Sequence, residues 1–209
     1  MSGASARARR LGALARAAAL GVAILLLGVA GCGRQTTTFE GSDVTGTTLG
    51  RDFALTDHNG MPRTLADFRG KVVVLFFGYT HCPDVCPTTL AELAQAMQDL
   101  GPDAKRVQVL FATVDPDRDT QDLLARYVPA FNPTFLGLRG DAEATARATK
   151  EFKIVVQKQP GPTPDSYTVD HSAGTFIFDP QGHLRVYVGY GQGPQVFEHD
   201  IRALLASDA

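Results

Sequence analysis

Hydrophobic and polar residues follow one another along the chain in blocks that predict strands and helices. Residues 71–78 form a short run of β-branched and aromatic side chains, which indicates a central strand buried on both faces. A similar run covers residues 107–114, and acidic residues follow it at 115–120. After Pro87 the apolar side chains recur at helical spacing, which predicts a helix that begins near Cys86.

Shorter patterns around this β-α-β unit complete the predicted fold. Two segments on either side of His58-Asn59-Gly60 predict a hairpin over residues 53–65, and a second hairpin is predicted over 174–188. Further helices are predicted at about residues 120–127, 141–152 and 194–206. A β-α-β half followed by a hairpin and a terminal helix is the order of an α/β, thioredoxin-like fold. We therefore predict a thioredoxin-like fold with an N-terminal β-hairpin and a central mixed sheet flanked by helices.

The composition favours one globular domain and disfavours nucleic acid as a partner. The chain has 209 residues, 44% of them hydrophobic, which is enough for one full core. Four of its 20 basic residues precede Cys32, so the remainder carries 16 basic and 22 acidic residues, a net charge of about −6. An acidic domain repels the phosphates of nucleic acids.

The first 31 residues have the pattern of a bacterial lipoprotein signal peptide. Arginines precede an uncharged apolar stretch at residues 17–30, and Val-Ala-Gly-Cys at 29–32 resembles a lipobox. We expect cleavage before Cys32 and acylation of its thiol, which holds the protein on a membrane. An uncleaved transmembrane helix is the alternative, although the 14 residues of this stretch are fewer than the ~20 that a spanning helix needs.

This leader predicts where the domain resides. We expect residues 32–50 to comprise the lipidated Cys32 and a flexible tether rich in Thr and Gly, and residues 51–209 to form the domain. The expected location is the bacterial cell envelope, with the domain on the periplasmic or extracytoplasmic side.

Two cysteines lie four residues apart where the central strand meets its helix, within GYTHCPDVCP at residues 78–87. Because a helix N-terminus favours a thiolate over a thiol, we expect Cys82 and Cys86 to be reactive. Residues i and i+4 share a helical face, so both sulfurs can face one partner. With Cys32 acylated, each is the other's only disulfide partner in the chain. A structural disulfide, a redox-active pair and a soft-metal site remain open, although so short a ring gains little stability from a disulfide.

A histidine far along the chain is the best candidate for a third donor. Copper(I) accepts two thiolates and an imidazole, whereas structural zinc uses four protein ligands. His171 follows a proline-rich loop at residues 157–166, which cannot continue a strand or helix, and precedes the predicted strand at 174–178. His81 adjoins Cys82 and is expected to pack or to tune the thiols. The remaining histidines are expected to be structural or exposed: His58, His183 and His199.

Three motifs together resemble the signatures of the Sco/SenC family. They are GYTHCPDVCP at 78–87, VDPDRDT at 114–120 and VDHS at 169–172, and the resemblance covers roughly residues 49–205. It implies a thioredoxin-like, membrane-tethered protein that binds copper and supports assembly of the CuA centre of cytochrome c oxidase. It also implies that copper is held by Cys82, Cys86 and His171.

The same resemblance implies roles for neighbouring residues and for partners. Asp170 is expected to orient His171 by hydrogen bonding. The acidic motif, with Asp115, Asp117, Arg118 and Asp119, is interpreted as loop structure and surface charge near the site. The expected partners are the CuA-bearing oxidase subunit, another copper chaperone or a thiol reductase, and the membrane through the lipid anchor.

A rival function uses the same sulfurs without storing metal. A thiol-disulfide oxidoreductase would keep the cysteines of an apo-oxidase, or of another exported protein, reduced. The Cys-x-x-x-Cys spacing differs from the Cys-x-x-Cys of thioredoxins, and a pure reductase does not need His171. The sequence Pro-x-x-x-Thr-x-x-Cys of peroxiredoxins is absent, which disfavours a peroxidase.

Overall fold

The computed structural model describes residues 38–163 and 166–207. The expected signal peptide, Cys32 and the first part of the expected tether lie outside these residues. Among the described residues, none of the helices has the length and the apolar character needed to cross a membrane. The elements, in chain order, are β1 Ser42–Asp43, β2 Leu55–Asp57, β3 Pro62–Arg63, β4 Val72–Gly78, α1 Val85–Asp99, β5 Val107–Thr113, α2 Gln121–Tyr127, β6 Leu136–Arg139, α3 Ala142–Glu151, β7 Val156–Gln159, β8 Thr168–His171, β9 Gly174–Phe178, β10 Leu184–Gly189 and α4 Pro194–Ala206.

One mixed sheet forms the centre of the domain, with strand order β1-β10-β9-β4-β5-β6-β2-β3. β4 pairs in parallel with β5, and β5 with β6, while β9 pairs antiparallel with the other side of β4. Every residue of β4 and β5 is buried, as expected for central strands covered on both faces. The predicted α/β architecture is confirmed.

Helix caps explain why two of the predicted helices begin where they do. The Thr120 side chain accepts a hydrogen bond from the Leu123 N–H at the start of α2, and the Asp141 side chain accepts one from the Ala144 N–H at the start of α3. Each satisfies a backbone donor that has no partner inside the helix. α4 follows Gly193 and has proline in its first turn.

Two segments differ from the prediction. Residues 157–159, assigned above to a proline-rich loop, belong to β7, which pairs with β8 as a separate two-stranded ribbon; the loop begins only at Pro160. Residues 42–43, assigned to the tether, form β1 and pair with β10 at the edge of the sheet. The buried Asp200 carboxylate accepts the N–H groups of Glu40 and Gly41, so this part of the chain is packed on the domain.

Candidate metal and thiol site

The junction between β4 and α1 carries both cysteines of the predicted site. Cys86 lies in the first turn of α1, and Cys82 lies in the turn before it, so they do not share a helical face as expected. The Cys86 N–H donates instead to Cys82 Sγ at 3.4 Å. Both thiols are free, Cys82 being partly exposed and Cys86 completely buried.

Burial outweighs the helix N-terminus at Cys86. Loss of solvent is the largest influence and raises the pKa of this thiol far above its usual value; a hydrogen bond with the Tyr79 backbone opposes this rise only in part, and the hydrogen bond with Cys82 and the charge of Asp119 add to it. The expectation that the helix end makes Cys86 a thiolate is therefore wrong. A metal or a base has to displace the proton before this sulfur can bind or attack.

Gly78 leaves the space that the Cys86 sulfur occupies. A Cβ atom at residue 78 would lie 2.7 Å from a ring carbon of Phe111 and 2.9 Å from Cys86 Sγ, both closer than van der Waals contact allows. The end of β4 therefore accommodates no side chain beside the sulfur. Sequence reasoning missed this role, although the glycine that opens the cysteine motif was the available signal.

His171 contacts Cys86 from the ribbon, although 85 positions separate them in the chain. His171 Nε2 lies 3.5 Å from Cys86 Sγ, and Nδ1 lies 3.0 Å from the carbonyl oxygen of Ser172. A carbonyl only accepts, so Nδ1 carries the proton and Nε2 presents its lone pair to the sulfur. Burial lowers the pKa of His171, which favours the neutral ring that binds metals.

Alternation along β8 determines which side chains face the site. Val169 is buried and His171 faces Cys86, whereas Thr168 and Asp170 are exposed. The exposed Asp170 carboxylate accepts a hydrogen bond from Gln159 Nε2 at 2.7 Å. The expectation that Asp170 orients His171 is therefore wrong, and the Ser172 carbonyl oxygen binds the ring nitrogen instead.

Asp119 fastens the loop that leads to the cysteines. Its fully buried carboxylate accepts hydrogen bonds from the Thr80 N–H at 3.0 Å, the Thr80 hydroxyl at 2.6 Å and the Thr113 hydroxyl at 2.6 Å. His81 Nδ1 lies 3.8 Å from Asp119 and 3.1 Å from the Thr80 hydroxyl. These contacts place His81 with Thr80 and Asp119 rather than against a sulfur.

Asp115 links the loop after β5 to the start of β8. Arg118 Nε donates to its carboxylate at 2.6 Å, and the Tyr167 hydroxyl donates to its other oxygen at 2.7 Å. Asp115 and Asp119 are fully buried, so the interpretation of the acidic motif as surface charge is wrong for both. It is correct for Asp117, which is exposed and pairs with Lys158 at 2.7 Å.

A cleft of about 360 Å³ separates the start of α1 from β8. Tyr79, Cys82, Asp84 and His171 are among the residues that line it, whereas the fully buried Cys86 is not. Among the described residues, no three His, Cys, Asp or Glu side chains are arranged around one point so as to hold a metal ion. The structure thus joins His171 to Cys86 and Cys86 to Cys82, and the three-ligand set stays a prediction.

The fold and the site define a thioredoxin-like thiol protein. Its thiol pair lies at the β4–α1 junction, and a separate ribbon brings a histidine to it. The family model SCO1/SenC matches residues 42–206, and the chain belongs to this family.

Known proteins support the same family. Mouse Protein SCO2 homolog, mitochondrial, is 40% identical over 158 residues, which cover 75% of this chain and 62% of the mouse protein. The structure of Bradyrhizobium japonicum ScoI with copper bound matches at a TM-score of 0.69 and 35% identity, over 76% of this chain and 99% of that one. The structure of apo Sco1 from Thermus thermophilus matches at a TM-score of 0.72 and 42% identity, over 81% of this chain and 99% of that one. The chain spans about three fifths of the length of the mouse relative.

Proposed function

We propose that this chain binds copper through Cys82, Cys86 and His171 and delivers it to the CuA-bearing subunit of a cytochrome c oxidase. The observation that carries the proposal is the 3.5 Å contact between Cys86 Sγ and His171 Nε2, two soft-metal donors from distant parts of the chain. The solved copper-bound relative from Bradyrhizobium japonicum supports copper as the ion.

The donor set fits copper better than structural zinc. Two sulfurs and one neutral imidazole suit low-coordinate copper(I), whereas structural zinc sites are closed by four protein ligands. Cys86 and His171 are already in contact, and the partly exposed Cys82 lines the cleft beside them. Reorientation of the Cys82 side chain, rather than refolding, would complete the set. An open cleft lets a target's ligands replace these donors one at a time.

We also propose that a lipid on Cys32 holds the domain at the envelope membrane, on the extracytoplasmic side. The lipobox-like sequence at residues 29–32 supports this assignment. Radiolabelled palmitate incorporated into the wild type and not into Cys32→Ser tests it. Equal labelling of the two proteins would contradict it.

Copper titration of the anaerobically reduced protein tests the ligand set. We expect one equivalent of Cu(II) to produce sulfur-to-copper charge-transfer absorption and His171→Ala to weaken binding by at least about tenfold. His183→Ala is the matched control, because His183 is exposed and pairs with Asp179 at the turn between β9 and β10. An unchanged affinity in His171→Ala would reject the assignment.

A second function is favoured by the unequal exposure of the two thiols. Cys82 is accessible in the cleft while Cys86 is buried behind it, the arrangement of an attacking and a resolving cysteine. The Cys82 thiolate would attack a partner disulfide and release one partner thiolate. Cys86 would then attack the mixed disulfide and release the second, so that two electrons reduce the partner and Cys82-Cys86 becomes oxidised.

Cells expressing Cys82→Ser distinguish the two functions. Loss of oxidase activity that added copper restores supports delivery, because excess metal replaces a missing carrier. Loss that copper does not restore, but that an added permeable dithiol does, supports reduction of the apo-oxidase cysteines.

A further inference from the structure

The β7–β8 ribbon that carries His171 has few stabilising contacts within itself. Within residues 38–163 and 166–207, β7 and β8 pair only with each other, and Val169 is the one buried residue among the eight in these two strands. An isolated two-stranded hairpin is marginally stable in water. Contacts with the rest of the domain therefore decide where β8 lies, and with it the His171 ring.

Four side chains, here called the ribbon clamp, join the ribbon to the loop after β5: Asp115, Arg118, Lys158 and Tyr167. The Tyr167 hydroxyl donates to the buried Asp115 at 2.7 Å. The Arg118 guanidinium lies 3.6 Å from the centre of the Tyr167 ring and donates to the Tyr167 carbonyl oxygen at 2.8 Å. Lys158 Nζ lies 4.7 Å from the same ring, so the clamp combines cation–π contacts with a charge-assisted hydrogen bond.

The clamp and His171 lie at opposite ends of one strand face. Tyr167, Val169 and His171 are two residues apart, and each contacts the body of the domain: Asp115, the Tyr79 hydroxyl and Cys86 respectively. The C-terminal end of β8 is fixed because the chain continues into β9. The N-terminal end, roughly 13 Å from His171, is held by the clamp.

We propose that Tyr167, through its hydrogen bond to Asp115, is a positioning residue for His171 and sets the width of the cleft. Release of the N-terminal end of β8 lets the ribbon pivot about its junction with β9, which separates His171 from Cys86. The positioning of His171 by Tyr167 does not require copper. Its effect on copper binding rests on the function proposed above.

Tyr167→Phe is the sharpest test, because it removes the hydroxyl and keeps the ring that Arg118 and Lys158 contact. We expect the Val169 amide to exchange with solvent about fivefold faster or more, with an unchanged far-ultraviolet spectrum. Tyr190→Phe is the matched control, since Tyr190 is exposed and takes no part in the clamp. Asp115→Asn is the second variant, and partial loosening is expected because an amide still accepts the hydrogen bond without the charge.

Copper spectra of the same variants separate positioning from general stability. We expect Tyr167→Phe to bind Cu(II) about five to ten times more weakly, to show weaker nitrogen couplings of an imidazole ligand in the magnetic resonance spectrum, and to keep sulfur-to-copper absorption. Unchanged Val169 exchange together with unchanged nitrogen couplings would overturn the clamp. Failure of the wild type to bind copper would overturn the proposed function, while faster Val169 exchange would still support the clamp.

Discussion

Cys86 and His171 contact each other, but the regions that hold them differ in kind. Cys86 is surrounded by the core: β4 is buried along its whole length, and Phe76 and Phe111 pack at its carboxyl end. His171 lies on a ribbon whose strands are mostly exposed and whose attachments are ionic, aromatic and hydrogen-bonded. Cys86 is thus held by apolar packing, whereas the ribbon that carries His171 is held largely by polar and aromatic contacts.

Because of this difference, the core around Cys86 is rigid and the ribbon that carries His171 can move. Tightly packed cores resist small displacements, whereas exposed elements with few buried contacts open at low free-energy cost. The Cys86 sulfur can therefore stay fixed while the imidazole approaches or leaves. A site that both captures and releases an ion benefits from one immobile and one adjustable side.

The largest expected effect concerns the reactivity of the two thiols. At pH 7.5 we expect iodoacetamide to alkylate Cys82 of the reduced protein at least about a hundred times faster than the buried Cys86. Labelling of Cys86 should remain slow at pH values where an ordinary thiol already reacts as a thiolate, because burial raises the pKa of its thiol. Fragment-ion mass spectrometry measures both rates. The difference should disappear in denaturant, and equal rates in the native protein would contradict the contrast between the two sides.

A smaller effect is expected from filling the space beside the sulfur. Gly78→Ala should lower the free energy of unfolding by roughly 1–3 kcal/mol, because the new methyl group would overlap Phe111 and Cys86 Sγ. Gly189→Ala, where a Cβ would meet only the Gln192 amide at 3.6 Å, should stay within about 0.5 kcal/mol of the wild type. Urea unfolding compares the three proteins. Equal stability of the two variants would show that the core around residue 78 rearranges to accommodate the methyl group.

The smallest expected effect is a dependence of the ribbon on pH. Burial lowers the pKa of His171 while the ribbon is closed, and an open ribbon returns the ring to its ordinary value near 6.5. The open form therefore binds more protons, so the closed form is most stable above about pH 6.5 and loses stability as the pH falls towards the lowered pKa. Protection of the Val169 amide, corrected for intrinsic exchange, should decrease below pH 6.5, while that of Leu75 in β4 should not. His171→Gln should abolish the dependence, and its persistence there would assign it to another group.

The cysteine side is predictable from sequence because its signals are local. Residues 72–78 are continuously apolar, Pro87 falls in the first turn of α1, and the thiols lie between the two elements. The predicted strand and helix are both present. What the pattern cannot show is that Cys86 is buried deeply enough for loss of solvent to outweigh the helix end.

The histidine side is not predictable in the same way. β7 has four mostly exposed residues and runs into Pro160, so it carries no alternation strong enough to indicate a strand. The buried Asp115 carboxylate accepts hydrogen bonds from Arg118 and from Tyr167, and Tyr167 lies 52 positions later in the chain. An acidic residue beside a proline is typical of an exposed turn, and the sequence pattern does not show the contact with the distant tyrosine.

The inward and outward alternation of β8 restricts how this protein can vary in length. Inserting or deleting one residue between Tyr167 and His171 would turn the imidazole to the outer face and Asp170 or Ser172 to the inner one. Homologues and engineered variants should therefore differ in length at the tip of the ribbon and keep the spacing from tyrosine to histidine unchanged.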